Sequence, residues 1–405
     1  MPEGCSLVAA GPSSPSMGSR PPPCSEPKDP SISEAFAALA DERALIRERQ
    51  RAAKERKAAA RSVARHAASK DEDVEEMEVV DGDDYPCSIT IEEYFAACPR
   101  RFFTDPNLAP TEENLEVLMR LVDANKVIGK DRRGTAVRLS EFQYFPFVGP
   151  EAQIWDPAFF ARLAYEGFFT ITQGRTGTPL PELQPFYGVV DWDNLRKAKH
   201  VRKALRKVQA RCQADGAAPK YHLYHSRDLW GTYERLDSYQ RRRHGTNWMT
   251  RQYFEVAMQA SDDPRINFRV HSIELYNGPF DAETRPELIA GEIGFSFGRV
   301  YMSLSGFCDV AFSGAGTAQL ACLGRWLDQR GYAFWSLGHC YSPEMDYKRQ
   351  LGHRIYTRGQ FLHKLRAHRG SFRTSTAPDL VLDGFSPLVD REECDLAALL
   401  QAAAG

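Results

Sequence analysis

A chain of 405 residues with 42% hydrophobic and 26% charged residues is long enough to bury more than one core, and its net charge of −2 excludes a protein that is basic all over. No apolar run approaches the roughly 18 residues of a membrane span, and the opening MPEGCSLVAAGPSS has neither a basic n-region nor an apolar h-region. A soluble cytoplasmic protein with no membrane partner is expected.

Residues 1–84 stand apart. Pro/Ser-rich text to about Ser33 is too polar and too proline-interrupted to bury a core, Ala/Arg-rich residues 34–70 suit a solvated helix, and an acidic run from Asp71 to Asp84 follows. Aromatics return from Tyr85, and residues 85–255 are expected to form a smaller N-terminal α/β domain. Within it, Arg196, Lys197, Lys199, Arg202, Lys203, Arg206, Lys207 and Arg211 run without an acidic residue, while Ala198, Val201, Leu205 and Val208 share the other face of one helix. One side packs and the other suits a polyanion. Arg241, Arg242 and Arg243 form a second patch just before Trp248.

Residues 256–370 carry the most informative text. FRVHSIELYNG and ELIAGEIGFSF are β-rich, and Val300, Met302 and Leu304 alternate with Tyr301, Ser303 and Ser305, so an antiparallel meander is expected over 268–305, with a turn at Gly298. Leu320, Leu323 and Leu327, with Trp326, mark a helix that opens at the glycine-rich turn Ser313–Thr317. Glycines let backbone amides approach a ligand, and a helix start offers unpaired N–H groups to an anion. Tyr332–Leu337, closed by Gly338, reads as a buried strand, and a basic polar turn, MDYKRQLG, follows. The fold class expected is α+β: an N-acetyltransferase-like core, with a mixed, mainly antiparallel sheet and flanking helices, beside the smaller N-terminal domain and a disordered head. Residues 371–405 form a tail ending in an Ala/Leu helix.

The nine cysteines are odd in number and scattered without a C-x-x-C, so no disulfide framework is expected. His222 and His225 lack further ligands at metal spacing, and no metal is expected.

HSIELY at 271–276, ELIAGEIGFSFG at 287–298, YMSLSGF at 301–307, GTAQ at 316–319 and LG at 351–352 together resemble the leucyl/phenylalanyl-tRNA protein transferases, particularly their eukaryotic branch. LAYEGFF at 163–169, the basic segment near 195–207 and NWMTRQYFEVA at 247–257 extend the resemblance over about 160–365. It implies an aminoacyltransferase that moves Leu, Phe or Met from tRNA to the N-terminal amine of a protein, an N-degron tag for protein catabolism. Aminoacyl-tRNA is then a co-substrate and no other cofactor is needed; the remaining partner is a protein or peptide with a free N-terminus. A monomer is expected, though no residue pattern carries that expectation. The chain departs from the bacterial pattern at Ser336 and Gly338, where Asp and Gln are usual, and at Leu304, where Glu is usual.

An aminoacyl ester is already activated, and an amine of pKa near ~8 is partly free at neutral pH, so aminolysis needs mainly orientation and an oxyanion donor. Ser305, Thr317, Gln319 and Ser336 are the candidate proton relays, and backbone at Gly306, Phe307, Gly314 and Gly316 supplies candidate oxyanion donors. Trp248 is the candidate platform for the terminal adenosine. Phe295, Met302, Leu304, Leu320 and Leu323 are candidate walls for the amino-acid side chain, while Glu274, Glu292 and Asp309 could meet a basic acceptor at the mouth. Lys199, Arg202, Lys203, Arg206, Lys207 and Arg242 are the candidate tRNA contacts. Two rivals share such a core: a coenzyme A-dependent N-acetyltransferase, disfavoured by Ala311 where a phosphate loop usually has Gln or Arg, and a non-catalytic homologue that binds tRNA or N-termini.

Overall fold

The computed structural model describes residues 88–173, 177–195, 198–213, 221–280, 286–373 and 385–404. The head and helix expected within 1–84, and Arg196 and Lys197, lie outside the described residues. The described part is a mixed α/β structure in which helices flank several sheets.

An eight-stranded sheet dominates it. In chain order its strands are β1 (Phe186–Val190), β2 (His222–His225), β3 (Arg269–Tyr276), β4 (Leu288–Phe297), β5 (Val300–Cys308), β6 (Phe334–Gly338), β7 (Arg354–Thr357) and β8 (Glu393–Cys394). Their spatial order is β7-β1-β6-β5-β4-β3-β2-β8. The expected meander is present as β3, β4 and β5, paired antiparallel with Val270 opposite Phe295 and Phe295 opposite Met302. Because β1 and β2 belong to this sheet, residues expected in the smaller domain and residues of the core share one hydrogen-bonded ladder. A separate four-stranded sheet (Arg100–Phe102, Phe142–Tyr144, Thr178–Glu182, Phe169–Gln173) carries most of the remaining strand structure of 85–255.

Alternation along the strands divides the interior in two. Val270, Ile293, Phe295, Val300 and Met302 enter one hydrophobic core together with Tyr233, Leu236, Tyr253 and Phe254 from helices α2 (Leu229–His244) and α3 (Arg251–Asp262). Ile273, Ala290, Tyr301 and Trp335 enter another, against Ala318, Cys322, Leu323 and Trp326 of α4 (Ala315–Gln329) and Val201, Leu205 and Val208 of α1 (Lys199–Gln213). The period of 3.6 read in both helix sequences is therefore the period of their buried faces.

Among the described residues of this sheet, β5 and β6 are the only parallel neighbours, joined through α4. Their ladder is short: Val300, Tyr301 and Met302 face Phe334, Trp335 and Ser336, and pairing stops there. Strand β5 nevertheless continues to Cys308, still paired to β4 on its other side. Beyond Met302 the two strands diverge, so a buried sheet opens into a wedge whose walls are backbone.

Gly294 on β4 fits beside that wedge because a Cβ there would lie 2.7 Å from the Met302 carbonyl oxygen and 2.7 Å from the Tyr301 hydroxyl. Gly294→Ala is expected to cost about 1–3 kcal/mol, the usual range for overpacking, read as a lower midpoint in urea unfolding with an unchanged slope.

Candidate active site

Lys348 fills the base of the wedge. It comes from the short helix α5 (Asp346–Gln350), is 6% exposed, and donates from Nζ to the carbonyl oxygens of Leu337 (2.5 Å) and His339 (2.7 Å). These carbonyls belong to the end of β6, where it leaves β5. The ammonium thus takes acceptors that a continued ladder would have used.

Glu292 of β4 is the buried counter-charge. It is 3% exposed, and the Ser303 hydroxyl donates to its Oε1. Trp335 Nε1 in turn donates to Ser303 Oγ at 2.7 Å, which fixes the serine proton on the carboxylate side. Glu292 Oε2 is buried with no hydrogen-bond partner. Burial pushes this carboxyl up to about 7, opposed by the Ser303 hydrogen bond and by the Lys348 charge. Burial pushes Lys348 down to about 8, opposed by Cys340 and Glu292. Both groups are thus shifted toward the range where a general acid or base is most useful.

Other buried polar atoms without partners surround Gly338, which has φ of +66°. Both ends of the Gln184 amide lack a hydrogen bond, and a Cβ at Gly338 would lie 3.8 Å from Gln184 Nε2. Glu182 accepts from Gln143 Nε2 at 2.5 Å and lies 3.2 Å from His339 Nε2, while its Oε2 has no partner. Neither ring nitrogen of His353 is hydrogen-bonded, and burial lowers that imidazole to about 4, so it is neutral. Buried polar groups are normally satisfied; a cluster of exceptions around one strand end marks a place built for polar chemistry.

The candidate residues fall in several places. Glu292 is in the wedge, deep in the protein and not at a mouth. Gly306 lies opposite Glu292 in the ladder, on the unzipped stretch of β5, and is exposed. Ser305, on the same stretch, accepts from Gln240 Nε2 at 3.0 Å, and Ser336 is fully buried beside Met302 with its hydroxyl 3.4 Å from the Gly338 amide. Trp248 is half-buried, its ring 5.2 Å from Phe169, which is 5.6 Å from His339, so an aromatic row leads from Trp248 toward the wedge.

The remaining candidates have packing and hydrogen-bonding roles elsewhere in the fold. Gln319 donates its amide to the Ile273 carbonyl at 2.7 Å and anchors α4 to the sheet. Gly314 (φ +90°) faces Ala204 of α1 at 3.3 Å from a would-be Cβ, and Gly316 packs on Cys308, whose Sγ accepts the Gly316 amide at 3.2 Å. Close helix packing therefore accounts for the glycine turn, and Thr317 sits half-buried on the same first turn. Phe295 and Met302 lie in one core and Leu323 in the other, with Leu304 packed on the first and Leu320 on the second, so they do not wall one cavity. Phe307 packs over Gly291, where a Cβ would meet its ring at 2.6 Å. Glu274 is buried and saturated by Ser272, Tyr276 and the Asp228 amide, and Asp309 faces Arg235 at 3.4 Å.

On α1, Lys199, Arg202, Lys203, Arg206 and Lys207 are all exposed while Val201, Leu205 and Val208 are buried. Lys207 reaches Ser313 at 3.4 Å. Arg242 is exposed and donates to Ser238 at 2.6 Å, whereas Arg241 is paired with Asp237 at 2.7 Å. Ser303, Trp335, Lys348, Gln184 and His353 belong to the candidate site by position, and sequence reasoning does not single them out.

Among the described residues no group of three or more His, Cys, Asp or Glu side chains is arranged to hold a metal, and no helix is long and apolar enough to cross a membrane. No family model and no curated protein matches the sequence. Among solved structures the chain is similar to FemX, at 10% identity and a TM-score of 0.31 over 45% of this chain and 64% of that one. It is also similar to the C-terminal domain (DUF2156) of a candidate lysylphosphatidylglycerol synthetase from Agrobacterium fabrum, at 8% identity and a TM-score of 0.29 over 56% of this chain and 72% of that one. The chain thus spans just under two thirds of FemX. Likenesses this weak carry nothing about chemistry, which rests on the residues of the wedge.

A carboxyl raised to about 7 in the folded state and near 4.5 when unfolded keeps its proton longer on folding, so its contribution is fully present below pH 4.5 and is lost as pH rises through 7. Glu292→Gln removes that loss. The variant is expected to gain stability relative to the wild type between pH 5 and pH 7.5, by on the order of 3 kcal/mol at most, seen as a gap in Tm that widens with pH.

Proposed function

We propose that this chain is an aminoacyltransferase that uses aminoacyl-tRNA, and that it passes Leu, Phe or Met to the N-terminal amine of a protein, marking it for degradation. The observation that carries this reading is Glu292: a buried carboxyl raised to about 7, with one oxygen unpartnered, at the point where β5 and β6 part. Such a group can take the proton that the amine nitrogen must lose as it bonds to the ester carbonyl carbon.

The sequence of events is short. The acceptor nitrogen attacks the ester carbonyl carbon, forming the amide bond, while the bond from that carbon to the ribose oxygen breaks. Glu292 receives the nitrogen's proton and passes it to the departing ribose oxygen, which leaves as the hydroxyl, so the enzyme ends as it began. The unzipped edge of β5 from Ser303 to Gly306 offers backbone N–H groups where a carbonyl oxygen gains charge. Lys348 supplies a positive charge close by and holds the end of β6 away. The meander, the crossover helix α4 and the splayed parallel pair are in keeping with an N-acetyltransferase-like core.

Two further features support tRNA as the donor. The exposed cations of α1 line one face of a helix whose other face is pinned in the core, which holds them at fixed spacing against a phosphate backbone. Trp248 offers a partly exposed ring at the end of the aromatic row from His339, in keeping with a stacked terminal base. The packed glycine turn weighs against coenzyme A, because the Gly316 amide is taken by Cys308 and Gly314 is packed against Ala204.

The deciding assay offers labelled Leu-, Phe-, Met- and Arg-tRNA and acetyl-coenzyme A to peptides of varied N-terminal residue; transfer from the first three is expected. Glu292→Gln should lower kcat/KM by about 10²–10⁴-fold and remove the rise in rate that the wild type shows as pH passes about 7. A Gln variant with wild-type rate and pH profile would refute the assignment.

Replacing Arg202, Lys203, Arg206 and Lys207 together by Ala should weaken tRNA binding and flatten the slope of log affinity against log salt by about 0.7–0.9 for each phosphate that is no longer neutralised. Filter binding between 50 and 200 mM salt reads it, and an unchanged slope would show that α1 does not touch tRNA.

A further inference from the structure

A second polar centre lies away from the wedge. Ser296 Oγ is 2.7 Å from His271 Nε2, His271 Nδ1 is 2.8 Å from His225 Nε2, and His225 Nδ1 is 2.7 Å from the Val389 carbonyl oxygen. A carbonyl only accepts, so the proton of His225 sits on Nδ1 and its Nε2 is an acceptor. That acceptor takes the His271 Nδ1–H, with the Ser226 hydroxyl 3.2 Å from the same nitrogen. His271 Nε2 is left as the acceptor for the Ser296 hydroxyl. Burial keeps both rings neutral, lowering His225 to about 4 and His271 well below the ordinary range. Every proton is therefore placed as a serine activated by an oriented imidazole requires.

The same serine and histidine line a cavity of about 420 Å³, inside the range of small-molecule sites. Its walls include Phe268, Val270, Phe385 and Leu388. Tyr332 also lines the cavity, and its hydroxyl accepts from the Leu388 amide at 3.5 Å. That bond does not use the hydroxyl proton, so a donor lines the same cavity as Ser296.

We propose that Ser296 and His271, oriented by His225, form a nucleophilic centre that takes small carboxylic esters with a short apolar acyl group. Ser296 Oγ bonds to the ester carbonyl carbon as its proton passes to His271 Nε2, with the Tyr332 hydroxyl donating to the oxyanion. The bond from that carbon to the alkoxy oxygen breaks, and the alkoxide leaves with the proton from His271. Water then attacks the acyl-serine by the same route, releasing the carboxylic acid and restoring the serine.

The full-length chain, treated with a fluorophosphonate probe and analysed by peptide mass mapping, tests this. Attack by Ser296 Oγ on phosphorus expels fluoride and leaves one adduct, expected on Ser296 in the wild type and absent in Ser296→Ala, whose transfer from Leu-tRNA is unchanged. His271→Gln should slow labelling by about 10²-fold. Should that variant fail to fold, Tyr332→Phe keeps the ring and removes the donor, and should slow p-nitrophenyl acetate hydrolysis by on the order of 10²-fold. The titratable groups facing the two rings are Arg269, Tyr301, Tyr332 and Asp390, whose carboxylate lies 3.9 Å from His225 Nδ1, with Asp262 also in the cavity lining. Burial, with the Arg269 charge, opposes protonation of His271, and His225→Asn, which replaces the ring that orients it, should shift the acid limb of the labelling rate; a lower Tm with an unmoved limb would mark His225 as merely structural. No adduct on Ser296 in the wild type, or equal labelling with and without His271, overturns the proposal.

Discussion

The candidate site depends on an interrupted ladder. β5 and β6 pair over three residues and then separate, because the Lys348 ammonium takes the carbonyls of Leu337 and His339 at the end of β6. Strand pairing in the middle of a sheet normally continues until a strand ends, since unpaired backbone inside a protein is costly. Here a side chain from α5 meets that demand on one wall and leaves the other wall, β5 beyond Met302, with an edge open. A wedge of this kind presents fixed backbone donors in a low-dielectric interior, where they act most strongly on developing charge.

Such a site is held at the expense of stability. Glu292 and Lys348 are both buried, and each is shifted toward its neutral form by loss of solvation. The unpartnered atoms of Gln184, Glu182 and His353 add to that cost. Rigid surroundings maintain it: two cores clamp the sheet from opposite faces, with α4 and α1 on one side and α2 and α3 on the other. Local conflict with the rules that stabilise a fold is characteristic of functional positions.

Much of the architecture was legible in the residues. The meander followed from the β-rich runs FRVHSIELYNG and ELIAGEIGFSF and the alternation in VYMSLS, and α1 from the recurrence of Val201, Leu205 and Val208 against a run of cations. The chemistry was less so. Lys348 and Arg349 are adjacent basic residues in one turn, yet one is buried and the other exposed, and only tertiary packing separates them. Glu292 was visible as a carboxylate in an apolar strand, but its depth was not. The glycine turn misled because a close helix contact and an anion site ask for the same residue type. Leu304 and Leu320 misled because residues expected along one cavity project into different cores.

A structure bound to a non-hydrolysable amide analogue of leucyl-adenosine tests the central claim most directly. The analogue's carbonyl is expected between the open edge of β5 at Ser303–Gly306 and the end of β6 at Leu337–His339, with the Glu292 carboxyl facing the leucyl nitrogen's side of that carbonyl. An analogue bound outside the wedge, or β5 and β6 found zipped together past Met302 and Ser336 when it binds, would contradict it.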